Sequence, residues 1–233
     1  MSARPVRAAL FDLDGTLVDS EVHTDTAIRV VAGRHGVADY TLPPTETRGR
    51  TWAYVAELMV TQGGIAADAS ALADELLEYW VQIAADVTPV PGAPQSLREA
   101  ALSLRLGVVS SSPRAVIDQF IAKIGIADLV QPDARIGGDA VRASKPDPDG
   151  YLKGASALSV DPADCLVFED SQAGLLAARN AGMRSMFITC CATDIPGNSA
   201  LATGSFTDYT RLPPRFWARI AEGSLDFAGQ AYA

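Results

Sequence analysis

At 233 residues with 48% hydrophobic side chains, the chain is long enough for one large domain or a core with a smaller insert, and apolar enough to bury a sizeable interior. A net charge of −9 with only Lys123, Lys145 and Lys153 as lysines excludes a nucleic-acid surface, which needs clustered positive charge, and leaves open a small ligand held by a few placed cations. No apolar run reaches the roughly 18 residues of a membrane span, and Arg4 and Arg7 lead directly into the first strand without a signal-peptide core, so the sequence predicts a cytoplasmic protein with no membrane partner.

Residues 6–11 form an apolar run too short for a helix, followed by Asp12, Asp14 and Gly15. This pattern reads as a buried strand delivering two carboxylates into a turn. In an extended chain residues i and i+2 face one side, so Asp12 and Asp14 can share one small volume. Two like charges that close repel unless a cation sits between them. Taken alone, the stretch is equally compatible with an ordinary strand and an Asp/Gly turn.

Helical periodicity follows. Val22, Ile28 and Val31 lead to Gly36; a polar Pro43-Pro44 loop comes next; Trp52, Val55, Leu58 and Met59 share a face up to Gly63-Gly64; and Leu72, Leu76, Leu77, Trp80 and Ile83 recur at three- and four-residue steps until residues 89–92 break the pattern. Residues 21–88 are therefore predicted to hold helices and no strand. Beyond Pro94 apolar runs at 104–109, 134–136, 165–168 and 183–189 alternate with helical patterns at 115–124, 150–158 and 174–181. Strands apolar on both faces and alternating with helices indicate an α/β fold with a parallel sheet covered on both sides. The predicted organisation is a Rossmann-like core of residues 1–20 and 89–233, with a helical-bundle domain of residues 21–88 inserted after the first strand.

Open parallel sheets bind ligands beyond the carboxyl ends of their strands. Those ends carry Asp12 and Asp14, then Ser110-Ser111-Ser112, then Gly137-Gly138-Asp139, then Glu169-Asp170. Each could be a solvated strand end; Ser112 before Pro113 reads as an N-cap with proline at N1. Acids at two ends and hydroxyls at a third make a matched set, to which Lys145-Pro146 adds a loop cation. Cys165, Cys190 and Cys191 fit no metal spacing and read as reduced thiols. His23 and His35 fit neither a triad nor a zinc site, and His35 before Gly36 reads as a helix-end residue.

FDLDGTLVDS, VVSSS, SKPDPDGY and VFEDSQAG resemble, in order and spacing, the four motifs of the haloacid dehalogenase-like (HAD) hydrolases, and the helical insert resembles the cap of their β-phosphoglucomutase and sugar-phosphatase branch. The resemblance implies the HAD fold, Mg²⁺ as cofactor and a phospho-aspartyl intermediate. It makes Asp12 the nucleophile and Asp14 the acid–base. Ser110, the Ser111 amide and Lys145 would bind phosphate. Asp12, the Asp14 backbone carbonyl and Asp170 would ligate magnesium, with Glu169 acting through water or orienting the others.

Within the family, Asp14 argues against a dehalogenase, and the lack of lysine in residues 21–88 against a phosphonatase. The histidine of the mutases aligns with Thr24, beside His23, and their cap arginine with Trp52; a one-residue shift would restore His23 or Arg50. What remains is a phosphatase of a small phosphorylated sugar or sugar acid, such as 6-phosphogluconate, since VDSE at 18–21 and the segment 206–220 are similar to bacterial 6-phosphogluconate phosphatases. Arg48 and Arg50 are candidates for the far anionic end of such a substrate, or are solvated loop arginines. Alternatives are a β-phosphoglucomutase-type transferase and a non-catalytic phosphate-binding regulator. A monomer is the default, and residues 222–233, small and polar, are predicted as a partly disordered tail.

Overall fold

The computed structural model describes residues 4–232. Its strands are β1 (Ala8–Phe11), β2 (Val18–Asp19), β3 (Thr88–Pro89), β4 (Arg105–Val109), β5 (Arg135–Ile136), β6 (Cys165–Glu169), β7 (Arg184–Ile188), β8 (Gly204–Phe206) and β9 (Ala231–Tyr232). Its α-helices are α1 (Glu21–Arg34), α2 (Pro44–Thr47), α3 (Trp52–Thr61), α4 (Ala69–Ile83), α5 (Ala93–Ala100), α6 (Arg114–Lys123), α7 (Asp149–Ala157), α8 (Gln172–Asn180), α9 (Ile195–Ser199) and α10 (Phe216–Ala221).

Seven strands form one sheet in the order β5-β4-β1-β6-β7-β8-β9, every pair parallel. β1 and β6 are buried at every position, as an unbroken apolar strand must be when helices cover both faces. β1 pairs with β4 on one side and β6 on the other, so the carboxyl ends of all three come out side by side. Under that edge Phe11 stacks on Phe168 at 4.9 Å, with Trp217 5.2 Å from Phe168. Each such buried aromatic contributes about 1.5–3 kcal/mol by leaving water, which anchors the strand ends against displacement.

Helices α1, α3 and α4 have an interior of their own, built from Ile28, Val31, Val55, Met59, Leu72 and Leu76. Trp80 of the helical segment packs into the core of the sheet layer, its ring 5.7 Å from Phe120 of α6 and 6.0 Å from Trp52 of α3. Two details differ from the expectation of helices alone. The proline loop contains the short α2, begun by Pro44 in the first turn where its missing N–H costs nothing. Thr88 and Pro89 form β3, which pairs antiparallel with β2 through Val18↔Pro89 and Asp19↔Thr88, so the segment leaves and returns by one two-stranded ribbon.

The tail also differs from expectation. β9 adds to β8 in parallel, and Leu225 and Phe227 are buried, so residues 222–232 finish the sheet edge. Isolated apolar residues separated by glycine give no strand periodicity, and the pairing arises from the exposed edge of β8. Among the described residues no helix is long and apolar enough to cross a membrane.

Candidate active site

The turn after β1 is closed by the Gly15 amide donating to the Val18 carbonyl at 2.8 Å. Gly15 has φ +76°, and a Cβ there would lie 2.2 Å from Oδ2 of Asp170, so only glycine lets the first and last motifs approach this closely. Asp12 and Asp14 emerge on one side of the turn, as the alternation of an extended chain predicts, and both line one cavity with Ser110, Ser111 and Arg50.

Asp14 is held by hydroxyls. Ser20 donates to its Oδ1 at 2.8 Å, while Ser112 and Ser110 donate to Oδ2 at 2.9 and 3.2 Å. Burial raises its pKa above the usual carboxylate value, against the pull of these three donors. The reading of Ser112 as a helix cap is corrected here. Its hydroxyl serves Asp14, Pro113 is the N-cap of α6, and Asp139 satisfies the Arg114 amide at 3.0 Å. An Ser-Pro pair suits either role, and the proximity of Asp14, nearly a hundred residues away, decides between them.

Asp12 is 3% exposed and is paired with Lys145, whose Nζ also donates to Glu169 Oε1 at 2.6 Å and the Val109 carbonyl at 3.2 Å. Burial pushes the Asp12 pKa well up despite the lysine. For Lys145, burial alone would lower the pKa, but Asp12 and Glu169 outweigh it and the ammonium is held charged. Glu169 is saturated: Tyr151 donates to Oε1 at 2.7 Å, and the Ser171 hydroxyl and the Asp170 and Ser171 amides donate to Oε2 at 2.9, 3.2 and 3.2 Å. Asp170 is different. Thr16 donates to its Oδ1 at 3.2 Å, but Oδ2 is buried without a donor, and burial raises its pKa well above normal, with Glu21 and Glu169 adding to the rise.

One oxygen from each of Asp12, Glu169 and Asp170 lies within 4.8 Å of the other two. An orphaned buried carboxylate oxygen beside two further acids is costly unless a cation completes it, and hard oxygens at this spacing suit Mg²⁺. The donor set thus fits the metal, with Asp12 and Asp170 the acids free to take part directly and Glu169 occupied in holding Lys145.

From the helical segment, Gly49 (φ +69°) brings its loop so close to the sheet edge that a Cβ would meet Ser171 Oγ at 2.3 Å. Three polar contacts cross here: Ser111 Oγ donates to the Gly49 carbonyl at 2.8 Å, Arg50 Nη1 to the Lys145 carbonyl at 2.8 Å, and Arg48 Nη1 to the Cys191 carbonyl. Arg50 lies over the Tyr54 ring at 4.7 Å, with its Nε buried and unpartnered among the cavity walls. Arg48 instead pairs with Glu21, Nε to Oε2 3.4 Å, and does not itself line the cavity. Trp52 lines the cavity and so does Thr24, whereas its neighbour His23 does not.

Glu21 escaped sequence reading. It is buried, lines the cavity, and burial among Asp14 and Asp12 pushes its pKa up to about 8 against Arg48. A glutamate opening a surface helix is a commonplace charge, so no local signal separates it from a solvated one. Tyr151 was missed for the same reason, as an apolar position in α7.

The sequence matches the haloacid dehalogenase-like hydrolase family over residues 6–182. It is 35% identical over 189 residues to validoxylamine A 7'-phosphate phosphatase of Streptomyces hygroscopicus subsp. limoneus, covering 78% of this chain and 85% of that protein. It is 27% identical over 222 residues to 6-phosphogluconate phosphatase of Escherichia coli K12, covering 91% and 95%. The fold matches that of a β-phosphoglucomutase from Clostridium difficile with a TM-score of 0.76 at 21% identity, covering 93% and 97% of the two chains. With the motif residues converging on one sheet edge and the family match spanning most of its length, the chain belongs to the haloacid dehalogenase-like hydrolases.

Proposed function

We propose that the chain is a magnesium-dependent phosphatase of small phosphorylated sugars or sugar acids, with Asp12 as nucleophile, Asp14 as acid and base, and the helical segment of residues 21–88 as a cap over the core. The observation that carries this reading is the pairing of two unlike carboxylates. Asp12 is bound to an ammonium, and Asp14, two residues on, has a raised pKa and sits among hydroxyls. Burial raises the pKa of both, so the division between them is one of partners: the ammonium and the acid cluster suited to a metal beside Asp12 favour its anion as nucleophile, and three hydroxyls hold Asp14 as acid and base.

In the proposed reaction an Asp12 oxygen forms a bond to phosphorus as the ester P–O bond breaks, and Asp14 gives its proton to the departing oxygen. Asp14 then takes a proton from water as that water attacks phosphorus and releases Asp12. Lys145 offsets the repulsion between carboxylate and phosphate. Magnesium, held by Asp12, Asp170 and the Asp14 carbonyl, would supply further positive charge at the phosphoryl oxygens. Glu169 and Tyr151 fix Lys145. Ser110 and the Ser111 amide would donate to phosphate. Burial by the cap would keep water out during transfer.

For the far end of the substrate, Arg50 is the better candidate than Arg48, because its guanidinium lines the cavity and has an unpartnered Nε. The names of the relatives, a validoxylamine A 7'-phosphate phosphatase and a 6-phosphogluconate phosphatase, support the substrate class. Thr24, where the mutase histidine aligns, lines the cavity and offers no imidazole, which favours hydrolysis over phosphoryl transfer to a second hydroxyl.

The test is phosphate release from a panel of phosphorylated sugars and sugar acids, with Mg²⁺ or chelator, for the wild type and Asp12→Asn. The expected result is turnover that needs metal and falls by at least about a thousandfold in the variant. Release that survives Asp12→Asn, or none from any member of the panel, would overturn the reading.

A further inference from the structure

Cys190 and Cys191 follow β7 at the same sheet edge that carries Asp12 and Asp170, and the proposed reaction uses neither. Their Sγ atoms are 3.4 Å apart, with Cys190 exposed and Cys191 partly so. The third cysteine differs in kind: Cys165 is buried in β6, its thiol donates to the Asp161 carbonyl at 3.5 Å, and burial pushes its pKa up to about 12. In the vicinal pair, hydrogen bonding to Cys191 lowers the Cys190 thiol while raising that of Cys191. Cys190, the more exposed sulfur, is the one a solute reaches first, with the Cys191 sulfur in contact behind it.

The pair is also wired to the cap. The Cys191 carbonyl accepts from Arg48, and Arg48 faces the buried Glu21 of the cavity wall at 3.4 Å. Cys190 is tied on the other side, its amide donating to the Thr207 carbonyl of the sheet edge at 3.0 Å. The Cys190 amide is thus held to the sheet edge while the Cys191 carbonyl faces the helical segment through Arg48.

We propose that Cys190 and Cys191 form a modification site that takes a peroxide as two-electron oxidant and closes to a vicinal disulfide, displacing the carbonyl that holds Arg48. In the first step the Cys190 thiolate attacks one peroxide oxygen, the O–O bond breaks, hydroxide leaves and Cys190 becomes a sulfenic acid. In the second, Cys191 sulfur attacks Cys190 sulfur, the S–O bond breaks, and the thiol proton leaves with the hydroxyl as water. Two thiols are oxidised by two electrons and the peroxide is reduced to water.

Adjacent Cα atoms across a trans peptide are about 3.8 Å apart, below the roughly 4.4 Å lower end of the usual disulfide range. The bond is therefore strained and easily reduced, which makes the modification reversible. Closing the eight-membered ring resets φ of Cys191 and turns the carbonyl that follows it. Arg48 then loses its acceptor on the sheet side.

The covalent part stands without the phosphatase reading, and the coupling to turnover rests on it. The experiment treats the full chain with limiting hydrogen peroxide and reads intact mass, with phenylarsine oxide as a separate probe of paired reduced thiols. The expected result is loss of two hydrogens, reversed by dithiothreitol, and one arsenical adduct. Both should vanish in Cys190→Ser and Cys191→Ser and persist in Cys165→Ser.

Turnover should fall severalfold on oxidation, recover on reduction, and become insensitive to peroxide in Cys190→Ser, whose basal rate should match the wild type. Gain of oxygen at Cys190 with Cys191 still free, or a disulfide between chains, would overturn the site. A vicinal disulfide with an unchanged rate would overturn the link to Arg48. Disulfide formation in a protein with no phosphatase activity would leave the site standing and count against the proposed function instead.

Discussion

The two walls of the cavity are built on different terms. On the sheet edge the polar side chains share partners: Lys145 bridges Asp12 and Glu169, Glu169 accepts from Tyr151 and Ser171 as well, and Asp14 accepts from three serines. On the helical segment Arg50, which lines the same space, reaches across through one hydrogen bond to a backbone carbonyl, that of Lys145. A network with shared partners fixes positions to a fraction of an ångström, whereas single long side chains leave room to re-aim. In the proposed reaction the bond-making groups thus belong to the networked wall and the candidate selecting group, Arg50, to the wall held by fewer contacts.

The largest test of this contrast is Lys145→Met. It leaves Asp12 and Glu169 buried without their cation, so stability should fall by about 3–5 kcal/mol in denaturant unfolding, with loss of turnover. An unchanged unfolding midpoint would show that the wall is not held by this network. Next in size is Arg50→Ala, which should raise KM for a phosphorylated sugar acid about tenfold, or about 1.4 kcal/mol, with kcat and stability little changed. Equal weakening of the acid and its neutral sugar analogue would remove Arg50 from recognition.

Smallest is Ser112→Ala, read in the pH profile of kcat/KM. The Ser112 hydroxyl donates to the ionised form of Asp14 and so lowers its pKa. Removing it favours the protonated form. In the proposed mechanism Asp14 carries a proton to serve as acid, so the rate should fall as pH rises through its pKa, and the variant's alkaline limb should move to higher pH. A limb that stays or moves down would mean the hydroxyl serves only packing.

How much of this was legible follows from the range of each interaction. The strands that carry the motifs announced themselves, because apolar runs and the residues after them are local signals, and the order of the four motifs placed Asp12, Ser110, Lys145 and Asp170 at one edge before any coordinates. What escaped were partners chosen by the fold. Ser112 read as a cap because its neighbour is proline, while Asp14 is visible only once β1 and β4 pair. Arg48, Arg50 and Ser111 end on carbonyls of Cys191, Lys145 and Gly49, and a main-chain acceptor leaves no trace in residue identity. β8 and β9 were hidden by their brevity, since strands of three and two residues carry too little alternation to register.

The ribbon of Val18↔Pro89 and Asp19↔Thr88 has a consequence for how this chain can change over generations. Seen from the sheet, residues 20–87 are one very long hairpin loop, entering and leaving through neighbouring positions of a single paired ladder. The entropy of closing a loop grows only with the logarithm of its length, so insertions, deletions or wholesale exchange within that stretch cost the rest of the chain little. The same ladder keeps the point of attachment beside Ser20 and Asp14. New recognition surfaces can therefore be tried by grafting, each one arriving over the same chemistry.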